Sequence, residues 1–223
     1  MPDVAQQRFK MPQMEGAMAR WYAVQRRSGS QLAGYREQAV TLTEGLPSGA
    51  DVLEVAPGPG YLAIELARLG RFRVTGLDIS HTFVEIASEN ARRAGVDVEF
   101  HRADVESLPF PAGTFDLIVC QAAFKNFRRP VTALDEMHRV LRPGGTAVIQ
   151  DMSRDATRAD IREEVRRMRL NRWNAFATRR TLAMLRLRAS TRGGFEQLAA
   201  RSAFGTCAVQ TAGMNMEVRL TRS

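Results

Sequence analysis

The sequence predicts an α/β fold, a mostly parallel sheet with helices on both faces. Three observations predict it. Short apolar runs and amphipathic helical stretches alternate from about residue 51 to 151, the order that builds βαβ units. The connections are short and turn on Gly or Pro, at Pro57–Gly60, Gly70, Gly95 and Pro143–Gly145. One run, Phe115–Gln121 (FDLIVCQ), is almost continuously apolar, as a strand covered on both faces is.

In chain order, residues 1–12 carry no pattern. Residues 13–27 read as a helix with Met14, Met18, Trp21 and Tyr22 near one face, broken at Ser28–Ser30. A second helix runs from about Tyr35 to Leu46 and stops at Pro47–Gly49. There follow a strand Asp51–Ala56, a helix Tyr61–Leu69, a strand Phe72–Asp78, a helix Thr82–Ala94 and a strand Val96–Arg102. The strand Phe115–Gln121, a helix Val131–Leu141 and a strand Thr146–Asp151 complete the alternation. Right-handed crossovers then fix most of the topology. After Asp151 the rhythm changes. Residues 157–190 read as Arg-rich helix with an interruption or two, Phe195–Ala200 as a short helix, and Thr206–Thr211 and Met214–Leu220 as strands joined at Ala212–Gly213. That last pair is a hairpin, so the sheet ends antiparallel. There is no internal repeat.

At 223 residues, 44% hydrophobic and 25% charged, the chain is of ordinary globular composition and length for one domain. No run approaches 18 apolar residues, and the first residues lack an apolar signal core, which argues against a membrane-spanning or secreted chain and for a cytoplasmic one with no membrane partner. Cys120 and Cys207 form no disulfide or metal pattern, and no metal is expected. The net charge is +8, and Lys10 and Lys125 are the only lysines. Such arginine-rich surfaces attract nucleic acid or anionic small molecules only as a general tendency.

The stretch Val52–Tyr61 (VLEVAPGPGY) reads as strand, tight turn and helix start. Gly58 and Gly60 let backbone approach a ligand closely, with free N–H groups at the helix N-terminus. Asp78, eighteen residues after Gly60, ends the next strand, where a carboxylate can accept both hydroxyls of a ribose. Taken alone, Gly58-Pro-Gly-Tyr-Leu-Ala63 also suits the loose dinucleotide fingerprint and hence NAD, or a purely structural turn.

Further motifs decide between these. Glu54-Val-Ala-Pro-Gly-Pro-Gly60, Gly76-Leu-Asp-Ile-Ser80, Ala103-Asp-Val-Glu-Ser-Leu-Pro-Phe110, Phe115-Asp-Leu-Ile-Val119 and Glu136-Met-His-Arg-Val-Leu-Arg-Pro-Gly-Gly145 occur in that order. Over residues 50–152 the chain resembles the class I S-adenosyl-L-methionine (SAM)-dependent methyltransferases, particularly the branch acting on quinones and other small metabolites. The resemblance implies a Rossmann-like seven-stranded fold with strand order 3-2-1-4-5-7-6, SAM as cofactor and a small-molecule methyl acceptor. It implies one methyltransferase domain, with cap helices in 1–48, the SAM-binding core in 49–152, a helical lid in 153–194 and a terminal helix and hairpin in 195–223. Position by position, it places Glu54 by the methionine amino group, Gly58 and Gly60 under the methionine, Asp78 on the ribose and Ile79 against adenine. Asp104 meets the adenine amino group, Val105 adds a backbone contact, and Gln121 with Ala122–Ala123 borders the sulfonium. Ala56 departs from the family's first glycine and is expected to turn without positive φ.

Methyl transfer from a sulfonium needs alignment and exclusion of water more than acid–base help. His138 fits a packing stripe, His81 a ribose-side or capping place, and His101 a solvent-facing strand end, so no histidine is a persuasive base. The resemblance implies a His-rich segment, as many members of that family carry, where this chain has Phe124-Lys-Asn-Phe127. Lys125 is therefore a catalytic candidate for holding an anionic acceptor, Asp151 a second candidate, and each has a bland reading as loop lysine or helix cap. Trp21, Tyr22, Phe124 and Asn126 are candidates for the acceptor pocket, which the N-terminal helices and lid are expected to cover.

Arg158, Arg162, Arg166 and Arg169 recur at helical spacing opposite Ile161, Val165, Met168 and Phe176, and Glu163 can pair with Arg167. That face is a solvated surface, an anion-binding lid or an RNA contact. RNA methylation and a non-catalytic SAM-binding regulator are the rival readings. The absence of an [Asp/Asn]-Pro-Pro-aromatic segment after Phe115–Gln121 speaks against nucleic acid, and the intact Glu54, Asp78 and Asp104 against decay. A homodimer is left open.

Overall fold

A computed structural model of the protein describes residues 14–27 and 29–223. The expectations for residues 1–12 and for the break at Ser28 lie outside them. The elements are α1 (Gly16–Gln25), α2 (Gly29–Leu42), β1 (Ala50–Val55), α3 (Tyr61–Arg68), β2 (Phe72–Asp78), α4 (His81–Ala94) and β3 (Glu99–Arg102). Then come β4 (Phe115–Gln121), a 3₁₀ turn (Phe124–Asn126), α5 (Pro130–Val140), β5 (Leu141–Met152), α6 (Arg158–Arg167), α7 (Arg172–Arg186), α8 (Arg192–Ala200), β6 (Ala208–Ala212) and β7 (Asn215–Thr221).

The strands form one sheet in the order β3-β2-β1-β4-β5-β7-β6, as expected from the sequence. The first five run parallel, and β7 is antiparallel to β5 and β6. Period-two alternation sends successive side chains to opposite faces. In β1, Leu53 and Val55 join one core with Ile118, Ile149, Met137 and Phe195, while Val52 joins the other with Val119, Val148, Leu62 and Leu42. Glu54 follows Val52 onto the face covered by α2 and α3, so a carboxylate is carried into an apolar layer.

Boundaries differ from expectation where tertiary contacts decide them. β3 starts at Glu99 rather than Val96 because it is an edge strand paired only with Thr75–Asp78. β5 begins at Leu141 with a register shift opposite Phe115–Leu117. A side chain at Gly145 would meet the backbone oxygens of Arg142 at 2.9 Å and Asp116 at 3.1 Å, so only glycine passes. The late helix divides at Arg169, which takes φ 49°, and Asn171 caps α7 by accepting from the Asn174 N–H at 2.9 Å. Ile161 and Val165 are buried as expected, but Met168 and Phe176 are exposed. α1 also differs: Ala19 and Ala23 form its buried face, and Met18 and Trp21 point outward. Small residues let α1 approach closely where larger ones would hold it off. Among the described residues no helix is long and apolar enough to cross a membrane, and no cluster of three or more His, Cys, Asp or Glu could hold a metal.

Candidate active site

The carboxyl ends of β1, β2 and β4 lie side by side, where open α/β sheets take ligands. The chain leaves β1 through Ala56 at φ 55°, its N–H donating to Leu77 O at 2.7 Å. This corrects the expectation of a turn without positive φ. The backbone adopts the glycine conformation with an alanine in it, at a cost of about 1–2 kcal/mol. β4 ends in the same way, at Ala122 with φ 54° and an N–H bond to Gln150 O of 2.7 Å. Both strained alanines line one small cleft, and such strain gathers where ligands are held. Gly58 also has positive φ, and a Cβ there would meet nothing nearer than the Tyr22 ring at 4.0 Å. Gly60 is different: a Cβ would lie 2.9 Å from Ala87 and from Phe100. Gly60 is thus a packing glycine between α4 and β3, and Gly58 is the one that leaves the loop open.

Two carboxylates stand behind this loop. Asp78 accepts from the Gly58 N–H at 3.1 Å and from the Ser80 N–H at 2.9 Å. Burial raises its pKa above the usual range, and Glu15 adds to the rise while the two N–H groups oppose it. Glu54 is 3% exposed and its Oε2 has no partner. Burial pushes its pKa up to about 8, against an N–H from Ala63 and with help from the charge on Asp78. Glu15 accepts from the His81 and Thr82 N–H groups at 3.0 Å each. Hydrogen bonds to Thr82 hold its pKa down at about 2. Through these bonds the start of α1 is pinned onto the N-terminus of α4, beside Asp78.

Across the cleft stands Arg26, the C-cap of α1. It donates to the Tyr35 hydroxyl at 2.7 Å and lies 5.9 Å from the Tyr22 ring centre and 5.8 Å from that of Tyr35. Its Nε is buried without a partner. Arg26 and Glu54 line the same cavity of about 50 Å³, room for about four water-sized groups. A half-buried cation and a buried carboxylate, each with an orphaned buried polar atom, flank a space that fits the ammonium and carboxylate of an α-amino acid. Beyond it the surface opens: Ile79 is 40% exposed and Asp104 is exposed, its Oδ1 accepting from the Glu106 N–H at 3.0 Å. Val105 beneath them is core.

Gln121 lines the cleft and donates to Gln38 of α2 and to Gln150, which in turn donates to Glu217. Lys125 and Asp151, weighed separately from the sequence, form one buried ion pair with Nζ–Oδ1 2.8 Å. Asp151 also accepts from the N–H groups of Lys125 at 3.0 Å and Met152 at 2.7 Å, and the Lys125 ammonium donates to the Ala122 carbonyl. Lys125 is therefore not a free loop cation.

Two pocket candidates are corrected. Phe124 is buried against Phe127 and Phe195, in the core beneath the turn. Trp21 projects outward, one helical step from Tyr22, which does reach the cleft. Asn126 is exposed on the 3₁₀ turn. His138 packs edge-on to Phe204 and His101 edge-on to Phe110, so the latter is half-buried rather than solvent-facing. Sequence reasoning missed Arg26 and Glu15. The available signal was a cation four residues after Tyr22, at helical spacing.

Residues 53–149 match the model of a methyltransferase domain. A demethylmenaquinone methyltransferase of Thermus thermophilus is 39% identical over 44% of this chain and 45% of its own length. The chain thus spans about half the length of the curated relatives it matches. A solved SAM-dependent methyltransferase of Aquifex aeolicus superposes with TM-score 0.68 at 18% identity, covering 91% of this chain and 98% of that one. The [4+2]-cyclase SpnF superposes with TM-score 0.54 at 30% identity over 59% of this chain and 50% of that one.

Proposed function

We propose that this chain, whose residues 53–149 match the model of a methyltransferase domain, is a class I SAM-dependent methyltransferase that transfers a methyl group to a quinone-like small molecule by in-line displacement. The cofactor reading is carried by the cavity shared by Glu54 and Arg26, whose orphaned atoms match the two charges of a methionine head. The acceptor class rests on the relative named above, a demethylmenaquinone methyltransferase.

SAM supplies an electrophilic methyl group on a sulfonium. This chain's residues bind, orient and exclude water. Glu54 takes the ammonium and Arg26 the carboxylate. Asp78, already fixed by two backbone N–H groups, takes the ribose hydroxyls with its remaining lone pairs. Ile79 covers adenine, Asp104 accepts from its amino group, and Val105 supports that turn. Gln121 and Ala122 border the reacting end. Lys125 and Asp151 act as positioning residues: the pair ties the turn after β4 to β5 and holds the Ala122 carbonyl in its strained place. Tyr22 walls the acceptor side, and Asn126 faces the acceptor from the 3₁₀ turn. We read residues 14–223 as one methyltransferase domain with α1 and α2 as its cap.

The test is a turnover screen with SAM against quinols, small phenols and RNA. We expect S-adenosylhomocysteine only in the presence of a quinol or phenol. Release with RNA, in a reaction that weakens steeply with salt, would move the reading to nucleic acid. SAM binding without release on any acceptor would make the chain a regulator.

A further inference from the structure

Among the described residues, the outer face of the α6–α7 hairpin is a surface that the proposed reaction leaves unexplained. α7 has fifteen residues and none of them is buried, although tertiary burial is what normally holds a helix of this length together. Its apolar side chains are nevertheless ordered in space. Trp173, Phe176 and Met184, with the C-cap Leu187, fall within about 80° of the helix circumference. They are 85%, 50%, 67% and 56% exposed. Leu182, on the opposite side, is the residue that packs inward, against Ala156, Ile161 and Met214. Met168 and Leu170 extend the exposed apolar surface toward α6.

Charge surrounds this stripe. Residues 158–188 hold ten arginines against three acidic residues, a net +7 in a chain of net +8. Arg162, Arg166, Arg169, Arg172 and Arg179 line an open groove of about 860 Å³ with Trp173 and Phe176. Glu163 is already paired with Arg166 and Arg167. Arg180 stacks over Phe176 at 5.8 Å.

We propose that this hairpin is a docking surface for an anionic lipid bilayer, with α7 lying in the plane of the headgroups and its apolar stripe in the acyl boundary. A second copy of the chain would set arginine against arginine. RNA would use the arginines and the two rings but would leave Met184, Leu187, Met168 and Leu170 uncovered. A lipid surface satisfies both halves of the pattern, phosphate to the guanidinium groups and hydrocarbon to the stripe. The hairpin is rooted at the carboxyl end of β5, where the Arg186 guanidinium donates to the Ala156 carbonyl, close in sequence to Asp151. Docking needs neither cofactor nor turnover, so it goes beyond the proposed reaction and stands or falls separately.

The experiment is vesicle flotation of the full chain on phosphatidylcholine and on phosphatidylcholine with phosphatidylglycerol, alongside emission of Trp173 in a Trp21→Phe background. Expected are binding to the anionic vesicles only and a blue shift of Trp173. Arg172→Gln with Arg179→Gln should weaken binding about thirty-fold. Trp173→Ala with Phe176→Ala should weaken it at least about ten-fold, with the circular dichroism spectrum unchanged. Equal binding to neutral and anionic vesicles, or an unshifted Trp173, overturns the proposal. So does tighter binding to RNA at matched phosphate that the Trp173/Phe176 variant leaves intact. A dimer that the same variant dissociates assigns the face to a second copy instead.

Discussion

Replacing Glu54 by Gln removes a carboxyl group that is 3% exposed and whose pKa stands at about 8 instead of 4.5. Between those values the folded protein keeps a proton that the unfolded chain has released. The folded state binds more protons there, so stability falls as pH rises from 4.5 to 8 and then levels. Each pKa unit is 1.36 kcal/mol, so the loss is at most about 5 kcal/mol. Gln carries no such proton and should not share the loss. Urea unfolding followed by circular dichroism should therefore show Glu54→Gln within about 1 kcal/mol of the native protein at pH 5, and about 4 kcal/mol more stable at pH 8.5. An ammonium bound at Glu54 must expel the same proton. Calorimetry of SAM binding in buffers of different ionisation heat should then report release of about 0.9 proton at pH 7, and affinity should rise about eight-fold from pH 7 to 8.5. Parallel stability profiles for the two proteins, or binding without proton release, would refute the placement of an unpaired carboxyl at this point.

Asp78→Ala should abolish SAM binding or weaken it by about a hundred-fold or more, and unchanged affinity by calorimetry would return the β2 end to a structural role. Lys125→Ala leaves Asp151 buried without its cation and should cost about 3 kcal/mol in urea unfolding; Lys125→Met with Asp151→Asn should recover most of that stability. Because the pair positions rather than reacts, Lys125→Ala should lower kcat more than it weakens SAM binding, and equal activity would make the pair purely structural. Gly60→Ala, driven against Ala87 and Phe100 at positive φ, should cost about 3 kcal/mol of stability. Gly58→Ala, with open space beside it, should cost about 1 kcal/mol and act chiefly on SAM affinity; the reverse order would exchange the roles of the two glycines.

The sequence by itself determined what depends on neighbours along the chain. Periodicity and Gly/Pro turns located all seven strands, and the β1–turn–α3 stretch with Asp78 at the end of β2 marked the nucleoside end of the cleft. Right-handed crossovers fixed most of the topology of β1 to β5, and the places of β6 and β7 rested on resemblance. Only the tertiary structure decided what depends on residues far apart in the chain. Arg26 meets Glu54 across a cavity only because α1 crosses the sheet's carboxyl end, and no local pattern in residues 14–27 specifies that crossing. Lys125 and Asp151 become one unit because β4 and β5 are neighbours. Phe124 turns inward because α8 brings Phe195 to it, and Gly60 is glycine because α4 and β3 converge on it. Phe176, which suited a buried side by its spacing, is likewise exposed because the fold leaves that face of α7 uncovered. A side chain's type and spacing fix which surface it can bury or charge it can offer; packing of remote segments fixes whether that surface finds a partner within the chain.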